Sequence, residues 1–206
     1  MTSDTLPIGA TPLDDQDYKG LKIKGVMTRE DLNWVESGNI AQAKLYFKTH
    51  QKRYCDLAYL LSDTCVRDVH RRMFGDVWSW AGTYRTHDTS IGIFFERISV
   101  EVRNLLEDAK VRARYLNESD DAIESFAIWF HWRLVCIHPF PNGNGRQTRQ
   151  MADLILASFG HPPFSWSDEA LIREGSVRSD YIAALEYAGA YDTYGNLAPL
   201  LSFARR

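Results

Sequence analysis

Apolar residues recur with the three-to-four-residue period of an α-helix along most of the chain. The clearest run covers residues 120–136, where apolar positions extend nearly all the way round the helix. Such a helix is typical of the middle of a bundle, because no face of it is suited to water. Ser119 is its predicted N-cap, and a second strong helix is predicted from about 145 to 159, where Gly160 ends it.

The first third of the chain is also predicted to be helical, after an irregular arm rich in glycine and proline. Thr28 has the features of an N-cap, before a helix that Gly38 and Asn39 are predicted to interrupt. A second helix is expected over about 40–61, and Ser62 is expected to cap a third. Further helices are predicted to begin at Ser99 and to cover about 168–174, 179–190 and 197–205.

The stretch from Tyr84 to Phe95 does not follow the helical period. β-Branched and aromatic residues there flank a polar centre at residues 87–90, which predicts a short β-hairpin. The chain is therefore expected to be mainly α, with one hairpin.

Composition narrows the classes of protein to consider. The chain has 206 residues, 45% of them hydrophobic and 25% charged, which suits a globular domain with a substantial core. A net charge of −3 argues against direct nucleic-acid binding, and no run approaches the roughly 18 apolar residues that a membrane helix needs. Three scattered cysteines and an N-terminus without a signal-peptide pattern lead us to expect reduced thiols and a cytoplasmic protein.

The residues most suggestive of chemistry lie between the two strongest helices, in the stretch HPFPNGNGR from His138 to Arg146. Gly143 and Gly145 allow backbone conformations closed to other residues, so that a ligand can approach the amide N–H groups. Since a helix begins at this point, its unpaired amides and the positive end of its dipole face the same space. This combination predicts an anion site, best suited to phosphate.

Charged and titratable side chains surround the predicted anion site. Arg146 and Arg149 are three positions apart on the new helix and share a face, where two guanidinium groups suit a polyphosphate. His138 can accept a proton near neutral pH, which adds a candidate general base. Each residue alone is explained more simply as a cap, a turn or a solvated side chain, but together they favour a phosphoryl- or nucleotidyl-transfer site. His70 and His131 are interpreted as structural, and no HExxH or Cys/His cluster indicates zinc.

The string HPFPNGNGRQTR, residues 138–149, resembles the signature HxFx(D/E)GNGRxxR of the Fic/DOC family, with every fixed position matched except the acidic one. The likeness extends over residues 40–205 and includes FGDVWSWAGTYRT, which resembles the family's approach to its flap. It is closest to the bacterial subgroup called mobile mystery protein B. The resemblance implies a Fic-type helical bundle with a short β-hairpin flap over 40–206. Residues 1–39 would form an N-terminal arm with a possible inhibitory helix.

The resemblance also implies an activity, protein adenylyltransfer (AMPylation), in which AMP passes from ATP to a hydroxyl side chain of a target protein. His138 would be the general base, Arg146 would hold the phosphates in the transition state, and Arg149 would hold the γ-phosphate. Nucleotide binding is expected at Gly143, Asn144, Gly145, Arg146 and Arg149.

The resemblance further implies how partners are bound. The flap would dock the backbone of the target protein by strand addition. The residues of this flap are Thr86, His87, Asp88, Thr89, Ser90, Ile91, Gly92 and Ile93. The subgroup also implies a small helix-turn-helix partner or antitoxin.

Asn142 stands where the family has an Asp or Glu that ligates Mg²⁺. An amide oxygen can bind the ion but carries no charge, so a weaker magnesium site is expected. Three interpretations stay open: slower AMP transfer, a different donor, or a nucleotide-binding module with little or no turnover. A Doc-like protein kinase is a further alternative, although Doc-like motifs usually carry Ala-Asn-Lys in place of the Gly-Asn-Gly found here.

Many family members carry an inhibitory helix, (S/T)xxxE(G/N), whose Glu pairs with the second arginine of the signature and blocks the γ-phosphate pocket. The nearest string here contains Glu36, but Leu32 replaces the Ser or Thr, and Ser37 intervenes before the Gly-Asn pair. Glu36 is therefore a candidate autoinhibitory residue, expected to pair with Arg149. The simpler interpretation, which the sequence favours, is a solvated residue on the outside of a helix.

Overall fold

The computed structural model describes residues 15–25, 28–116, 119–166, 176–190 and 196–206, and these are mainly helical. The predicted helix over 168–174 lies outside the described residues. A 3₁₀ turn at Phe95–Arg97 leads into α6. The helices are α1 (Asp15–Tyr18), α2 (Arg29–Thr49), α3 (Gln51–Tyr54), α4 (Leu57–Leu60), α5 (Asp63–Phe74), α6 (Ile98–Arg114), α7 (Asp120–Ile137), α8 (Asn144–Ser158), α9 (Ser176–Ala190) and α10 (Ala198–Ala204).

α2 begins where the sequence predicts but continues through the expected break. Thr28 and Asp31 form a capping box, in which each side chain accepts a hydrogen bond from the other's backbone N–H. The break predicted at Gly38 and Asn39 is wrong. The Asn39 side chain is buried and donates to the Arg72 carbonyl of α5 at 3.1 Å, so contacts between helices offset the low helix propensity of these residues.

The break in the helix comes later, at His50, and a second follows at Asp56, which caps α4. The helix predicted over 40–61 is therefore three elements. The division of the chain after residue 39 stays a prediction, and that boundary lies inside α2.

The core is built around α7, as its apolar pattern predicts. α7 packs against both α6 and α8, and α5 packs against both α2 and α8. Phe126, Phe130 and Ile137 are among the buried residues of α7. As a result, the end of α7 and the start of α8 are surrounded by helices that come from the first half of the chain.

The chain divides into two compact units. One spans Leu13–Pro163 and contains α1 to α8. The described part of the other lies within Phe164–Arg206, where the rings of Tyr181 and Phe203 pack 5.4 Å apart and join α9 to α10. Among the described helices, none has both the length and the apolar character needed to span a bilayer.

The β-hairpin predicted from Tyr84 to Phe95 is not confirmed, because the residues between these two positions form a loop without paired strands. Instead, its backbone N–H groups form hydrogen bonds with the end of α7 and with the connection that follows it. The Arg85 N–H donates to the Pro139 carbonyl at 2.9 Å, and the Ile93 N–H donates to the Ile137 carbonyl at 3.4 Å. These contacts override the β-propensity of the sequence. We keep the name flap for residues 86–93.

Candidate active site

His138 ends α7 in a left-handed conformation, with φ 55° and ψ 60°, while its N–H donates to the Leu134 carbonyl. Only 6% of the residue is exposed. Burial, and then the positive charge of Arg85, lower the pKa of His138 to about 4, against a hydrogen bond with the Val135 backbone that raises it. The imidazole is therefore neutral near pH 7 and able to accept a proton.

The loop between α7 and α8 is closed by one of its own side chains. The Asn144 side-chain oxygen accepts from the Phe140 N–H at 2.9 Å, and its amide nitrogen donates to the Phe140 carbonyl at 2.8 Å. Both residues are almost completely buried. A buried side chain that satisfies both backbone groups of one residue fixes the loop firmly, because breaking it leaves polar groups without water.

The buried His70, on α5, contacts the same loop. Its Nδ1 accepts from the Gly82 N–H at 3.0 Å, so the proton is on Nε2, which donates to the Asn142 carbonyl at 3.0 Å. Its ring also stacks on Phe140, with centroids 3.7 Å apart. Burial lowers the pKa of His70 to about 3, which keeps the ring in this neutral form.

Gly143 has φ +80° and stands directly before α8. A Cβ at this position would lie 2.5 Å from the Phe74 ring, so only glycine fits. The first i to i−4 bond of α8 runs from Gln147 to the Gly143 carbonyl, which leaves the earlier amides of the helix, at Asn144 and Gly145, available to an anion.

Glu36 is buried and forms an ion pair with the partly exposed Arg146, which corrects the interpretation of Glu36 as a solvated residue. Glu36 is 1% exposed, and its Oε2 lies 2.7 Å from Arg146 Nη1. Its Oε1 accepts from Trp78 Nε1 at 2.6 Å. The Arg146 guanidinium also stands over the Phe74 ring, 4.8 Å from its centroid. The sequence missed this pair because its members are 110 positions apart.

The arginine that Glu36 contacts is thus the first of the signature, whereas the inhibitory pairing expected from the family involves the second, Arg149. Arg149 is itself 8% exposed, and its charge helps to lower the pKa of the buried His131 on α7 to about 3, after burial itself. The structure therefore brings Glu36, Arg146 and Arg149 to the same end of α8, with different surroundings for the two arginines.

The flap lies over His138. A Cβ on Gly92, which has φ +99°, would be 2.5 Å from the His138 Cβ. The side chain of Arg85 joins the two segments, since its Nε donates to the His138 carbonyl at 2.8 Å. Arg85 is a residue that sequence reasoning missed. No neighbouring residue in the sequence indicates that this arginine is buried, whereas His70, on the apolar face of α5, was already interpreted as structural.

A groove of about 490 Å³ runs along the flap. Its walls include Asp88, Thr89 and Ile93 from the flap, and Phe94 and Arg97 from the residues that follow it. The flap therefore borders the groove and, at Gly92, also lies against His138, the candidate base.

The residues around the loop offer little to a magnesium ion. Asn142 is the candidate ligand, but its side-chain oxygen accepts from the Gly143 N–H at 2.7 Å. Within the described parts of the chain, no group of three or more His, Cys, Asp or Glu side chains could hold a metal ion. A magnesium ion at this loop would therefore depend on ligands other than the side chains around it.

A candidate base beside a loop that presents helix-terminal amides and an arginine is the arrangement expected of a phosphate-handling site, here on a helical bundle. A sequence model of the Fic/DOC family matches residues 60–156. The chain is also 36% identical over 145 residues to "Probable protein adenylyltransferase y4lH" of Sinorhizobium fredii (strain NBRC 101917 / NGR234), covering 68% of this chain and 69% of that protein. The chain belongs to the Fic/DOC family.

Other relatives agree with this assignment. The chain is 31% identical over 146 residues to "Protein adenylyltransferase fic-1" of Caenorhabditis elegans, a match that covers 68% of this chain and 26% of the nematode protein. The chain thus spans about a quarter of that relative's length. The fold matches the N-terminal Fic domain of a putative cell filamentation protein from Bartonella quintana with a TM-score of 0.68 at 17% identity, covering 88% of this chain and 84% of that one. Closeness to the mobile mystery protein B subgroup stays a prediction.

Proposed function

We propose that the chain is a protein adenylyltransferase that moves AMP from ATP to a hydroxyl side chain of a target protein. The observation that carries this proposal is the placement of His138, which is held neutral beside a loop that leads into the free amides of α8 and to Arg146. A related solved protein, BepC from Bartonella tribocorum, was determined with bound AMPPNP, an ATP analogue, and has the same fold with a TM-score of 0.65.

The step that this geometry supports is an in-line displacement at the α-phosphorus. The target hydroxyl oxygen forms a bond to the α-phosphorus, and its proton passes to the imidazole of His138. The bond between the α-phosphorus and the bridging oxygen breaks, and pyrophosphate leaves with the electron pair. Proton transfer to a neutral imidazole adds positive charge close to the developing negative charge, which lowers the barrier.

The phosphates would lie at the start of α8. The amide N–H groups at Asn144 and Gly145 would bind phosphate oxygens, and the Gly143 N–H would join them on leaving the Asn142 side-chain oxygen. Arg146 would stabilise the charge of the transition state, and Arg149 would hold the γ-phosphate. Asn142 is the candidate ligand from the chain for the Mg²⁺ that accompanies ATP. Since its oxygen is engaged with Gly143, most of the metal's ligands would come from the triphosphate itself.

The flap and its groove would bind the target protein. The flap, residues 86–93, covers the base on one side and borders the groove on the other. A target segment in this groove would present its hydroxyl at the edge of the flap. Because the flap is a loop, we propose docking along its backbone without requiring a preformed strand. A small helix-turn-helix partner or antitoxin remains part of the proposal from the subgroup resemblance.

Two other functions would use the same site. A Doc-like kinase would transfer the γ-phosphate, and a binding module would hold ATP without turnover. The binding module is favoured by one observation, the engagement of the Asn142 oxygen by the Gly143 N–H. Adenylyl transfer is favoured over kinase activity by the two glycines of the loop, which keep the form found in the nucleotide-transferring members.

Labelled ATP separates the three functions. The purified chain, alone and with a bacterial lysate, is incubated with ATP labelled at the α-position or the γ-position, and label on protein is measured after electrophoresis. Adenylyl transfer predicts label from the α-position only. Label from the γ-position would indicate a kinase, and saturable ATP binding without label would indicate a binding module. Either result contradicts the proposal.

We also propose that Glu36 restrains activity, now through Arg146. Its carboxylate neutralises the Arg146 guanidinium, which is assigned to the transition-state phosphates, and binds this group from within the protein. Glu36→Gln keeps the size of the side chain but removes the charge, so label transfer should increase. Glu30→Gln is the matched control, since Glu30 is exposed in the first turn of the same helix. Unchanged transfer would reject the inhibitory role, and reduced transfer would show that Glu36 supports Arg146 instead.

A further inference from the structure

One buried side chain binds both ends of the flap and the backbone of the candidate base. The Arg85 side chain is 0% exposed. Its Nε donates to the His138 carbonyl at 2.8 Å, its Nη1 donates to the His87 carbonyl at 2.9 Å, and its Nη2 donates to the Ile93 carbonyl. The acceptors come from three separate places in the chain. A planar guanidinium, with five N–H donors in a fixed geometry around one centre, is well suited to serve all three at once.

The backbone of His138 needs such support. A left-handed conformation at a residue other than glycine costs about 1–2 kcal/mol, and it persists where the surroundings determine it. The conformation of His138 is held on one side by its N–H bond to Leu134 and on the other by Arg85. The N–H of Arg85 also donates to the next carbonyl, that of Pro139. Residue 85 therefore fixes two consecutive peptide groups at the turn that directs the imidazole.

The same side chain determines where the flap lies. His87 is near the start of the flap and Ile93 is its last residue, and both carbonyls point to the one guanidinium. A Cβ on Gly92 would lie 3.1 Å from Arg85 Nη2 and 2.5 Å from the His138 Cβ, so the flap, the guanidinium and the base are in close contact. Among the ion pairs of the described residues, one joins this guanidinium to an acidic side chain. Arg85 Nη1 lies 3.6 Å from Oδ1 of Asp88, which is half exposed.

We propose that Arg85 is a positioning residue that couples the flap to the base: it holds the His138 peptide in its left-handed conformation and closes the flap over it. The alignment of the target hydroxyl and the direction of the imidazole then depend on one side chain. Arg85 contacts neither nucleotide nor target in this account, so its loss should affect the rate of transfer and leave ATP binding in place.

The activity test rests on the proposed adenylyl transfer. Arg85→Lys keeps the charge but loses the planar fork, and Arg85→Met loses both. Both variants should lower kcat for transfer by about 10²-fold, the cost of displacing a reacting group by about 1 Å, with the dissociation constant for ATP within a few-fold of the parent. Arg103→Met, an exposed arginine on α6, is the control and should behave as the parent. A parent-like kcat in Arg85→Met, or equal losses of ATP binding and kcat, would overturn the proposal.

A second test does not depend on any activity. The His138 imidazole is titrated by NMR, and hydrogen exchange is measured at the Ile93 amide, in the parent and in each variant. Arg85→Met removes a buried cation and should raise the pKa of His138 from about 4 towards its ordinary value. The other titratable groups around the loop, His70 of α5, Arg146 and Arg149 of α8 and Asp88, are unchanged in the variants.

Arg85→Lys separates position from charge. The ammonium group should keep the pKa of His138 low, while exchange at the Ile93 amide becomes faster because the fork no longer closes the flap. Slow exchange at this amide in both Arg85 variants would overturn the proposal, whether or not the chain transfers AMP. A thermal melt of each variant establishes that the compared proteins are folded, and Arg85→Lys provides the result if Arg85→Met does not fold.

Discussion

The loop between α7 and α8 and the flap that covers it are held in opposite ways. The loop is closed by bonds within its own short stretch, since the Asn144 side chain binds both backbone groups of Phe140 and Asn142 binds the neighbouring Gly143, and the buried His70 of α5 adds a bond to the Asn142 carbonyl. The flap has few bonds within itself, such as the one from the Thr89 hydroxyl to the Ile91 carbonyl. Its position over the site comes from residues outside it: Arg85 binds the carbonyls at both of its ends, the Ile93 N–H donates to the Ile137 carbonyl, and His87 lies 3.4 Å from Asp17.

This difference separates two tasks within one site. Phosphate chemistry needs donors fixed to within a fraction of an ångström, which a self-bonded loop at a helix start provides. Binding of a target protein needs an edge that can adapt, which a loop held at its two ends provides. The residues that join the two tasks are His138 and Arg85, and we expect substitutions there to affect both.

His138→Ala should have the largest effect on activity. Transfer should fall by about 10²–10⁴-fold or more, since the attacking hydroxyl loses its proton acceptor, while ATP binding persists because the phosphates contact α8. Transfer is measured by α-label, and binding by calorimetry. His50→Ala, at the exposed end of α2, is the control. Steady turnover by His138→Ala would remove His138 from the mechanism.

Asn144→Ala should break the self-bonded loop. The substitution leaves the Phe140 N–H and carbonyl without partners in a buried place, which should lower the free energy of unfolding by about 3 kcal/mol. Urea unfolding measures this change, with the exposed Asn104→Ala of α6 as control. If the two variants are equally stable, the loop is held by other means and the comparison with the flap fails.

Gly92→Ala should displace the flap with a smaller effect. The new Cβ would meet the His138 Cβ at 2.5 Å, so we expect transfer to fall by roughly one to two orders of magnitude. The positive φ, which the control shares, should lower the free energy of unfolding by about 1–2 kcal/mol. Gly160→Ala is a matched control, because Gly160 has a similar φ of +78° but nothing within 4 Å of a new Cβ. Equal transfer by the two variants would mean that the contact between residue 92 and His138 does not affect the reaction.

Asn142→Asp should have the smallest effect at saturating metal. A carboxylate adds a full negative charge to the expected ligand, so the Mg²⁺ concentration for half-maximal transfer should decrease, while the maximal rate changes little because the triphosphate supplies most ligands. Titrating Mg²⁺ against α-label for both proteins measures this. Superimposable curves would show that residue 142 is not a metal ligand.

The sequence predicted best what is encoded locally. The N-cap at Thr28, the buried α7 and the glycine-containing turn before α8 follow from short-range rules, and the structure has them where the sequence places them. It was less successful where distant residues decide the outcome. Gly38 lies inside a helix because α2 is supported by α5, and the flap follows the connection after α7 instead of pairing with itself.

The candidate site shows the same division. His138 and the glycines could be assigned a role from the signature, because their chemistry depends on neighbouring residues. The burial of Glu36 against Trp78 and Arg146 could not be predicted, because an acidic residue with this spacing is also found on solvated helix faces. Arg85 likewise has no local feature that distinguishes a buried arginine from an exposed one.

The most direct test of the account counts products in one reaction. Pyrophosphate released and AMP attached to protein are measured together for the parent chain and for His138→Ala with ATP and a lysate as the source of targets. Adenylyl transfer predicts one pyrophosphate for each AMP attached in the parent, and at least about 10²-fold less of both products from the variant. Formation of ADP in place of pyrophosphate, or release of pyrophosphate without AMP on protein, would contradict it.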